Sequence, residues 1–261
     1  MMHLAARIGT AALVALVLVL VVGPIVVVGI IAFSDAESFR FPPTSFSLRW
    51  FTRFFESSNL TSALWLSLRT AFVAATLATA IALSGAFAAI RLRGKATVAY
   101  QAVFLAPLVF PTIVLGLALL LFYRSVGIDL YLGLVLAHVT VGAPYAFRTI
   151  LTSLSSYDPT LTEAARCLRA GPLRSFLLVT LPIIWPGIFS GWLFAFIISL
   201  GELNTSLFLT GPGTTTLPIE IFGYLQFEGG QLVIAAASAL QVAIIVVLFA
   251  MIQYLKGATR A

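Results

Sequence analysis

The chain has 261 residues, of which 61% are hydrophobic and 9% are charged, and its mean hydropathy is +1.08. Soluble domains have roughly 45–50% apolar and about 25% charged residues, so this composition excludes an ordinary soluble domain and indicates a membrane protein. The basic residues behind the net charge of +6 are scattered between apolar runs, which argues against a nucleic-acid-binding surface and is typical of a membrane orientation signal.

Six apolar runs are long enough to cross the bilayer as helices, which takes roughly 20 residues for about 30 Å of hydrocarbon. The first run has no charge and no small-residue cleavage site before a soluble domain, so we expect an uncleaved helix. Prolines inside the runs, such as Pro107, Pro111 and Pro182, predict kinks. The predicted fold is an all-α integral membrane protein, a single domain over residues 1–261, with transmembrane helices at about 8–33, 63–90, 98–122, 130–147, 176–200 and 233–254.

The polar loops between these runs predict the orientation of the chain. If the N-terminus is cytoplasmic, ten Lys and Arg residues fall on the inside and four on the outside, while Arg69 lies in the second span. The outside then also holds most carboxylates, including Glu202 and Glu228. Because an excess of Lys and Arg marks cytoplasmic loops, both termini and the loop at about 148–175 are predicted to be cytoplasmic.

Two outside segments are too apolar for ordinary loops. Residues 45–58 place Leu48, Phe51, Phe54 and Phe55 at helical spacing, which predicts a short helix lying in the membrane interface as an anchor. Residues 201–230 are too polar to span, and the Gly-Pro-Gly turn at 211–213 predicts that the segment folds back on itself. Such a segment enters the bilayer only where it faces protein or water.

The inside loop at 148–175 contains the sequence "TEAARCLRAGPLRSFLLVTLP" at residues 162–182. Asp158-Pro159 is a helix start, since an N-cap acceptor precedes a proline at the first helical position. Gly171-Pro172 is a helix stop, and Pro172 can open the next helix. The short helix presents a shallow surface of small side chains, which suits either a docking protein partner or a passive connector.

This stretch resembles the EAA motif in the membrane subunits of ABC importers, which reads Glu-Ala-Ala, three residues, Gly, nine residues, Ile, one residue, Leu-Pro. Glu163, Ala164 and Ala165 match its start, Val179 replaces the isoleucine, and Leu181-Pro182 matches its end. Arg169 stands at the motif glycine, and because a glycine follows at Gly171 we expect the turn to have shifted there. The sequence "FPPTSFSLRWF" also looks like the first outside loop of this family.

The resemblance implies a type I ABC importer permease in a bacterial inner membrane. Such a subunit pairs with a second permease, two cytoplasmic ATPase subunits that hold ATP and magnesium, and a periplasmic solute-binding protein. It binds no cofactor and catalyses no reaction, in keeping with the absence of a phosphate-binding G-x-x-x-x-G-K-[ST] sequence. The implied ATPase-coupling residues are Glu163, Ala164, Ala165, Leu168, Arg169 and Gly171.

The segment after the fifth span looks most like the second permease of spermidine/putrescine importers. Glu202 is one of its acidic positions, although Gly201 occupies another that those permeases often fill with a carboxylate. Glu202 is expected to face a cationic substrate, to lie at the level of the outer headgroups, or to cap a helix. The predicted substrate-pathway residues are Glu202, Asn204, Thr205 and Ser206, of which the small polar ones could equally join helices.

Other functions remain as alternatives. The same branch of the family includes permeases for ferric iron, thiamine and phosphonates. A stand-alone secondary transporter would be expected to show repeat symmetry. An intramembrane protease would need a serine–histidine pair, for which only Ser84 and His138 qualify, and an interhelical hydrogen bond is the favoured role of His138. The single cysteine, Cys167, excludes an intrachain disulfide, and one cysteine with two histidines excludes a zinc-type metal site.

Overall fold

The computed structural model describes residues 2–227 and 232–258, with side chains at residue 7 and at residues 9–227 and 232–250. The helices in these ranges are α1 (Met2–Ala32), α2 (Arg49–Glu56), α3 (Ser58–Ala89), α4 (Lys95–Leu105), α5 (Thr112–Ser125), α6 (Leu130–Ser155), α7 (Thr160–Cys167), α8 (Pro172–Ser175), α9 (Leu181–Leu200), α10 (Leu217–Phe227) and α11 (Val233–Ala258). Their contacts divide the chain into two units, residues 1–62 with 220–246 and residues 63–219 with 247–261.

The described helices include membrane-spanning candidates in the number that the sequence predicts. Five are long and apolar enough to cross a membrane, namely Gly9–Ala32, Ser58–Ala89, Leu130–Ser155, Pro172–Leu200 and Val233–Ala250, and a bent pair raises the number to six. The first and last spans fall close to where they are predicted, whereas the second starts at Ser58, five residues before the predicted 63. The apolar side chains of α1 are largely exposed, as expected where lipid replaces water.

The third span differs from the straight helix predicted at 98–122. It consists of α4, a 3₁₀ turn at Ala106–Leu108 and α5, and the two arms meet at 95°. Pro107 lies in the 3₁₀ turn, and Pro111 adopts an extended backbone immediately before α5. Because proline lacks an N–H and its ring clashes with the preceding turn, two prolines four residues apart break the helix rather than kink it.

The fourth span is longer than the predicted 130–147, since α6 continues to Ser155. Its last two turns contain polar residues, which suggested a loop. Thr149 and Thr152 donate their hydroxyl hydrogens to the carbonyls of Tyr145 and Arg148, at 2.8 Å in each case. A threonine that bonds to the carbonyl four residues earlier satisfies its own hydroxyl, so the helix continues through a polar stretch.

The fifth span starts at Pro172, four residues before the predicted 176, and it is not a uniform α-helix. Phe176–Thr180 forms a π-helical turn between α8 and α9. Pro182 is the second residue after that turn and has no N–H for the carbonyl of Leu178. A π turn is one way for a helix to redistribute its hydrogen bonds around such a position.

In the unit of residues 1–62 and 220–246, α2 forms within the predicted segment 45–58. Trp50 and Phe54 are buried, whereas Leu48 and Phe55 of the predicted apolar face are more than half exposed. The guanidinium groups of Arg49 and Arg53 lie 4.9 and 4.8 Å from the Trp50 ring centroid. Aromatic–cation contacts therefore cover the buried tryptophan.

In the unit of residues 63–219 and 247–261, α6 and α9 pack closely as an antiparallel pair. A small residue occurs at every fourth position of α9, and a Cβ on Gly187 would lie 2.3 Å from Ser153 Cβ, while one on Gly191 would lie 3.1 Å from the Ala146 carbonyl oxygen. Gly142 of α6 meets Ala195 in the same way. Small residues at this spacing let two membrane helices approach at backbone distance.

The segment after the fifth span folds back as predicted. The amide of Thr214 donates to the Gly211 carbonyl at 2.9 Å, and Gly213 has φ +76°, which favours glycine. The returning limb reaches α3 of the same unit, where the Leu217 N–H donates to Ser67 Oγ at 2.7 Å. Glu228 and the end of the predicted 201–230 segment lie outside the described residues.

Candidate coupling and substrate sites

The inside loop forms the helix that the sequence predicts between Asp158 and Gly171. Asp158 Oδ1 accepts the Thr160 N–H at 2.9 Å, and the Pro159 carbonyl accepts the Glu163 N–H at 3.2 Å. The hydrogen bond from the Thr160 backbone holds the pKa of the exposed Asp158 carboxyl below its usual value. The carboxylate acceptor is therefore present at neutral pH and is lost only as the pH falls through that lowered pKa.

The end of α7 corrects the expectation that the turn has shifted to Gly171. Arg169 itself has φ +61°, whereas Gly171 has φ −65° and ψ 166°. The Arg169 N–H donates to the Arg166 carbonyl at 2.9 Å, and the Ala170 N–H donates to the Ala165 carbonyl at 3.1 Å. These two bonds define a Schellman end, so the turn keeps its place in the motif although arginine replaces the glycine.

The surface of α7 is open. Glu163, Ala164 and Leu168 are exposed, Leu168 by 84%, while Ala165 is half-buried. Arg169 and Gly171 are exposed as well. Among the described residues the Glu163 carboxylate has no hydrogen-bond or salt-bridge partner. The six predicted coupling residues thus lie together at one short helix and its end, and five of them are accessible.

Three hydroxyl groups attach α7 to the π turn of the fifth span. Tyr157 Oη lies 2.5 Å from Thr162 Oγ1, Thr162 Oγ1 lies 3.3 Å from Thr180 Oγ1, and Thr180 donates to Tyr157 at 3.4 Å. We call this set the hydroxyl ring. Tyr157 and Thr180 are not among the predicted residues, since isolated hydroxyl residues beside a motif carry no periodic signal.

His138 links the predicted substrate segment to α9, and we call this contact the histidine bridge. His138 is buried on α6, with Nδ1 2.7 Å from Ser199 Oγ and Nε2 2.9 Å from Ser206 Oγ. Ser206 gives its one hydroxyl hydrogen to the Glu202 carbonyl at 3.0 Å, so Nε2 is the protonated nitrogen that donates to Ser206. The predicted interhelical hydrogen bond of His138 is confirmed. The repeat Gly187-Gly191-Ala195-Ser199 is the signal that would have identified Ser199.

Thr205 and Ser206 are fully buried, and their hydroxyls bond within the chain. A Cβ on Gly116 of α5 would lie 2.8 Å from Thr205 Cα, so the segment packs directly on that helix. Asn204 is exposed and donates Nδ2–H to Thr112 Oγ1 at 3.0 Å. The four predicted substrate residues lie together. Thr205 and Ser206 are buried in the protein interior, whereas Glu202 and Asn204 remain accessible.

Glu202 caps the turn that contains these residues. It is half-buried, and its Oε1 accepts the Thr205 N–H at 2.9 Å. In the part of the chain that the structure describes, no basic side chain lies within salt-bridge distance of Glu202, and Arg69 is exposed on α3. Capping therefore uses one carboxylate oxygen and leaves the other without a partner among the described residues.

The alternative serine–histidine pair does not form. Ser84 is exposed and donates its hydroxyl hydrogen to the carbonyls of Ala80 and Ile81 in its own helix. His138 is occupied by the two serines described above. A nucleophile needs a base within hydrogen-bond reach, and the geometry of this pair does not provide one.

Comparison with known proteins identifies relatives of about two thirds of the chain. Residues 81–260 match the family model "Binding-protein-dependent transport system inner membrane component". The putrescine transport system permease protein PotI of Escherichia coli (strain K12) is 38% identical over 193 residues, 69% of this chain and 67% of that protein. The spermidine/putrescine transport system permease protein PotC of Haemophilus influenzae is 36% identical over 182 residues, 69% of this chain and 71% of that protein.

The fold is shared with a solved structure. A chain of a bacterial ABC transporter involved in the import of the acidic polysaccharide alginate superposes with a TM-score of 0.74 at 14% identity, covering 96% of both chains. At this low identity the likeness concerns the fold. It confirms the predicted permease fold of an all-helical, multi-pass membrane protein.

Proposed function

The chain belongs to the family of binding-protein-dependent transport system inner membrane components, and we propose that it forms half of the translocation pathway of an ATP-driven polyamine importer. The other half is a second, similar permease. Two ATPase subunits supply ATP hydrolysis on the cytoplasmic side, and a periplasmic protein delivers the solute. In this proposal the chain lies in a bacterial inner membrane as a single domain with both termini in the cytoplasm.

The observation that carries the coupling part of this proposal is the open helix α7. Its start is capped, its end is a Schellman turn, and Leu168 is 84% exposed. An eight-residue helix is marginal in isolation, so its ends and attachments must hold it. A rigid helix with an exposed apolar end suits a groove in a separate ATPase subunit, which can then move it.

The polyamine part is supported by the two polyamine-transporter relatives and by two free acceptor atoms. Glu202 Oε1 and Asn204 Nδ2 are used within the chain, which leaves Glu202 Oε2 and Asn204 Oδ1 available. An ammonium group has three donors and no acceptor, so it binds such oxygens, and the carboxylate adds the opposite charge. The hydroxyls of Thr205 and Ser206 hold this segment in place through hydrogen bonds to the carbonyls of Thr112 and Glu202. Ferric iron, thiamine and phosphonate are the less favoured solutes.

The proposal is tested by uptake into proteoliposomes that contain the complete complex. We expect ATP-dependent accumulation of radiolabelled putrescine when the binding protein is present outside. Unlabelled spermidine should compete, whereas phosphonate and thiamine should not. ATP-dependent uptake of phosphonate, thiamine or ferric iron without putrescine uptake would replace the proposed substrate, and solute movement by the isolated chain without ATP would exclude the importer.

Substitution of Glu202 by Gln separates charge from capping. The Gln side chain keeps an oxygen for the Thr205 N–H but removes the negative charge. We expect putrescine uptake to fall about tenfold, as for the loss of one charge-assisted hydrogen bond, with an unchanged melting temperature. Glu56→Gln, at an exposed carboxylate of α2, is the control. Unchanged kinetics in Glu202→Gln would remove this residue from the substrate pathway.

A further inference from the structure

The hydroxyl ring joins three separate elements of one unit. Tyr157 precedes α7, Thr162 lies within α7, and Thr180 is the last residue of the π turn. Thr180 donates to Tyr157, which leaves Tyr157 to donate to Thr162 and Thr162 to donate to Thr180. Each hydroxyl has one hydrogen, so the three groups satisfy one another in a closed cycle. The cycle is self-sufficient and requires no other polar group.

The ring is also the main side-chain attachment of α7. No residue of α7 is fully buried, so packing alone fixes the helix weakly. Within the described residues, Thr162 is the residue of α7 whose side chain hydrogen-bonds to the fifth span. A second tie lies beyond the helix, where Ser175 Oγ donates to the Ala170 carbonyl at 3.4 Å. Without the ring, α7 would be held mostly through its two chain ends.

The partner of α7 in the ring lies at a place where the fifth span is irregular. Thr180 ends the π turn, and α9 begins at the next residue and packs on α6 through Gly187 and Gly191. A π turn has wider and less regular hydrogen bonding than an α-helix and is frequent at functional sites. A force applied at Thr180 therefore acts where the span can adjust, one residue before its rigid part.

We propose that the hydroxyl ring positions α7 on the π turn, so that a displacement of α7 is passed to α9. This inference rests on the proposed role of α7 in coupling. Tyr157, Thr162 and Thr180 act as positioning residues, since none of them lies on the exposed surface formed by Glu163, Ala164 and Leu168. The two contacts of Thr180 are long for hydroxyl hydrogen bonds, so the ring is a light connection that depends on all three members.

The test compares transport with ATP hydrolysis in the complete complex in proteoliposomes. We expect Tyr157→Phe and Thr180→Val to continue hydrolysing ATP but to import about fivefold less putrescine per ATP, the factor that corresponds to one ordinary hydrogen bond. Thr180→Ser, which restores the hydroxyl, should restore the ratio. Thr149→Val is the matched control, because the Thr149 hydroxyl bonds to Tyr145 in its own helix.

A double variant and a second readout complete the test. Tyr157→Phe combined with Thr180→Val should be no worse than the more severe single variant, since either substitution opens the ring. Stimulation of ATP hydrolysis by the binding protein is measured in parallel, because a signal from outside must cross the same connection. We expect the stimulation factor to fall in both ring variants and to persist in Thr149→Val.

The outcomes distinguish the inference from the proposed function. If uptake and ATP hydrolysis fall in proportion, or if Thr149→Val behaves like the ring variants, the ring only stabilises the fold and the inference is overturned. If the wild-type complex imports no putrescine but the ring variants lose stimulation, the polyamine substrate is wrong and the inference stands. If wild-type uptake occurs and neither ratio nor stimulation changes, the inference alone fails.

Discussion

Arg169 is an arginine in a backbone conformation that favours glycine. Its φ of +61° is the one positive value at a non-glycine position in the described chain. The left-handed conformation costs a side-chain-bearing residue roughly 1–2 kcal/mol. The Schellman bonds of Arg169 and Ala170 offset this cost, and a positively charged residue at the C-terminal end of α7 is favoured by the helix dipole. Local strain and charge therefore oppose each other at this position.

Replacing Arg169 by Gly should stabilise the end of α7. We expect a gain of about 0.5–1 kcal/mol, because the relief of strain is partly offset by the greater freedom of glycine in the unfolded chain. Hydrogen exchange at the Ala170 amide, which bonds to the Ala165 carbonyl, reports the local effect. Arg166→Gly, within α7, should instead lose about 1 kcal/mol. Faster exchange in Arg169→Gly would contradict the strain argument.

At the scale of elements, the pair of α6 and α9 depends on small residues that meet in register. His138 faces Ser199, Gly142 faces Ala195, and Ala146 faces Gly191, so the contacts advance by four residues along both helices. The histidine bridge stands at one end of this glycine-lined contact. A hydrogen bond and close packing thus hold the same pair of helices. The hydrogen bond joins specific side chains, and the small residues set the distance between the helices.

Gly187→Ala should disrupt this pair. A Cβ there would lie 2.3 Å from Ser153 Cβ, which is tied to its own backbone and cannot rotate away. We expect a loss of about 1–3 kcal/mol, the usual cost of overpacking, measured as a lower melting temperature in detergent. Gly23→Ala in α1, where nothing lies within 4 Å, is the matched control. Ser153→Gly should restore stability in the double variant, and equal melting temperatures for both alanine variants would contradict the packing argument.

The elements also show what the sequence can and cannot predict. Long apolar runs located the spans, and the Asp158-Pro159 and Gly171-Pro172 pairs located α7, because these signals are local. The break in the third span was underestimated, since one proline kinks a membrane helix whereas the spacing of Pro107 and Pro111 breaks it. The buried face of α2 depends on which neighbours it packs against, and the positive φ of Arg169 depends on hydrogen bonds that outweigh residue preference.

At the scale of the whole molecule, the single cysteine tests the orientation and the docking of α7 together. Cys167 is exposed and is the last residue of α7. We expect a membrane-impermeant maleimide to label it in inside-out vesicles of the chain without its ATPases, but not in intact cells with a permeable outer membrane. Adding the ATPase subunits should slow the labelling. Cys167→Ser provides the blank.

The labelling result tests the orientation of α7 separately from its contact with the ATPase subunits. Labelling from the outside of intact cells would reverse the predicted orientation, since α7 would then face the periplasm. Labelling from the inside at a rate that the ATPases do not change would leave the orientation intact and remove α7 from the ATPase interface. The experiment uses the native residue, so it does not disturb the helix that it reports on.

The π turn at Phe176–Thr180 sets the direction in which α7 leaves the fifth span. It holds one residue more than an α-helical turn, and one residue corresponds to about 100° of rotation about a helix axis. The loss of a single codon within this stretch would remove that extra residue and turn the attached loop, with Leu168, by about this angle relative to α9. The gain or loss of one codon can thus re-aim the exposed surface of α7 during evolution while every residue of that surface stays the same.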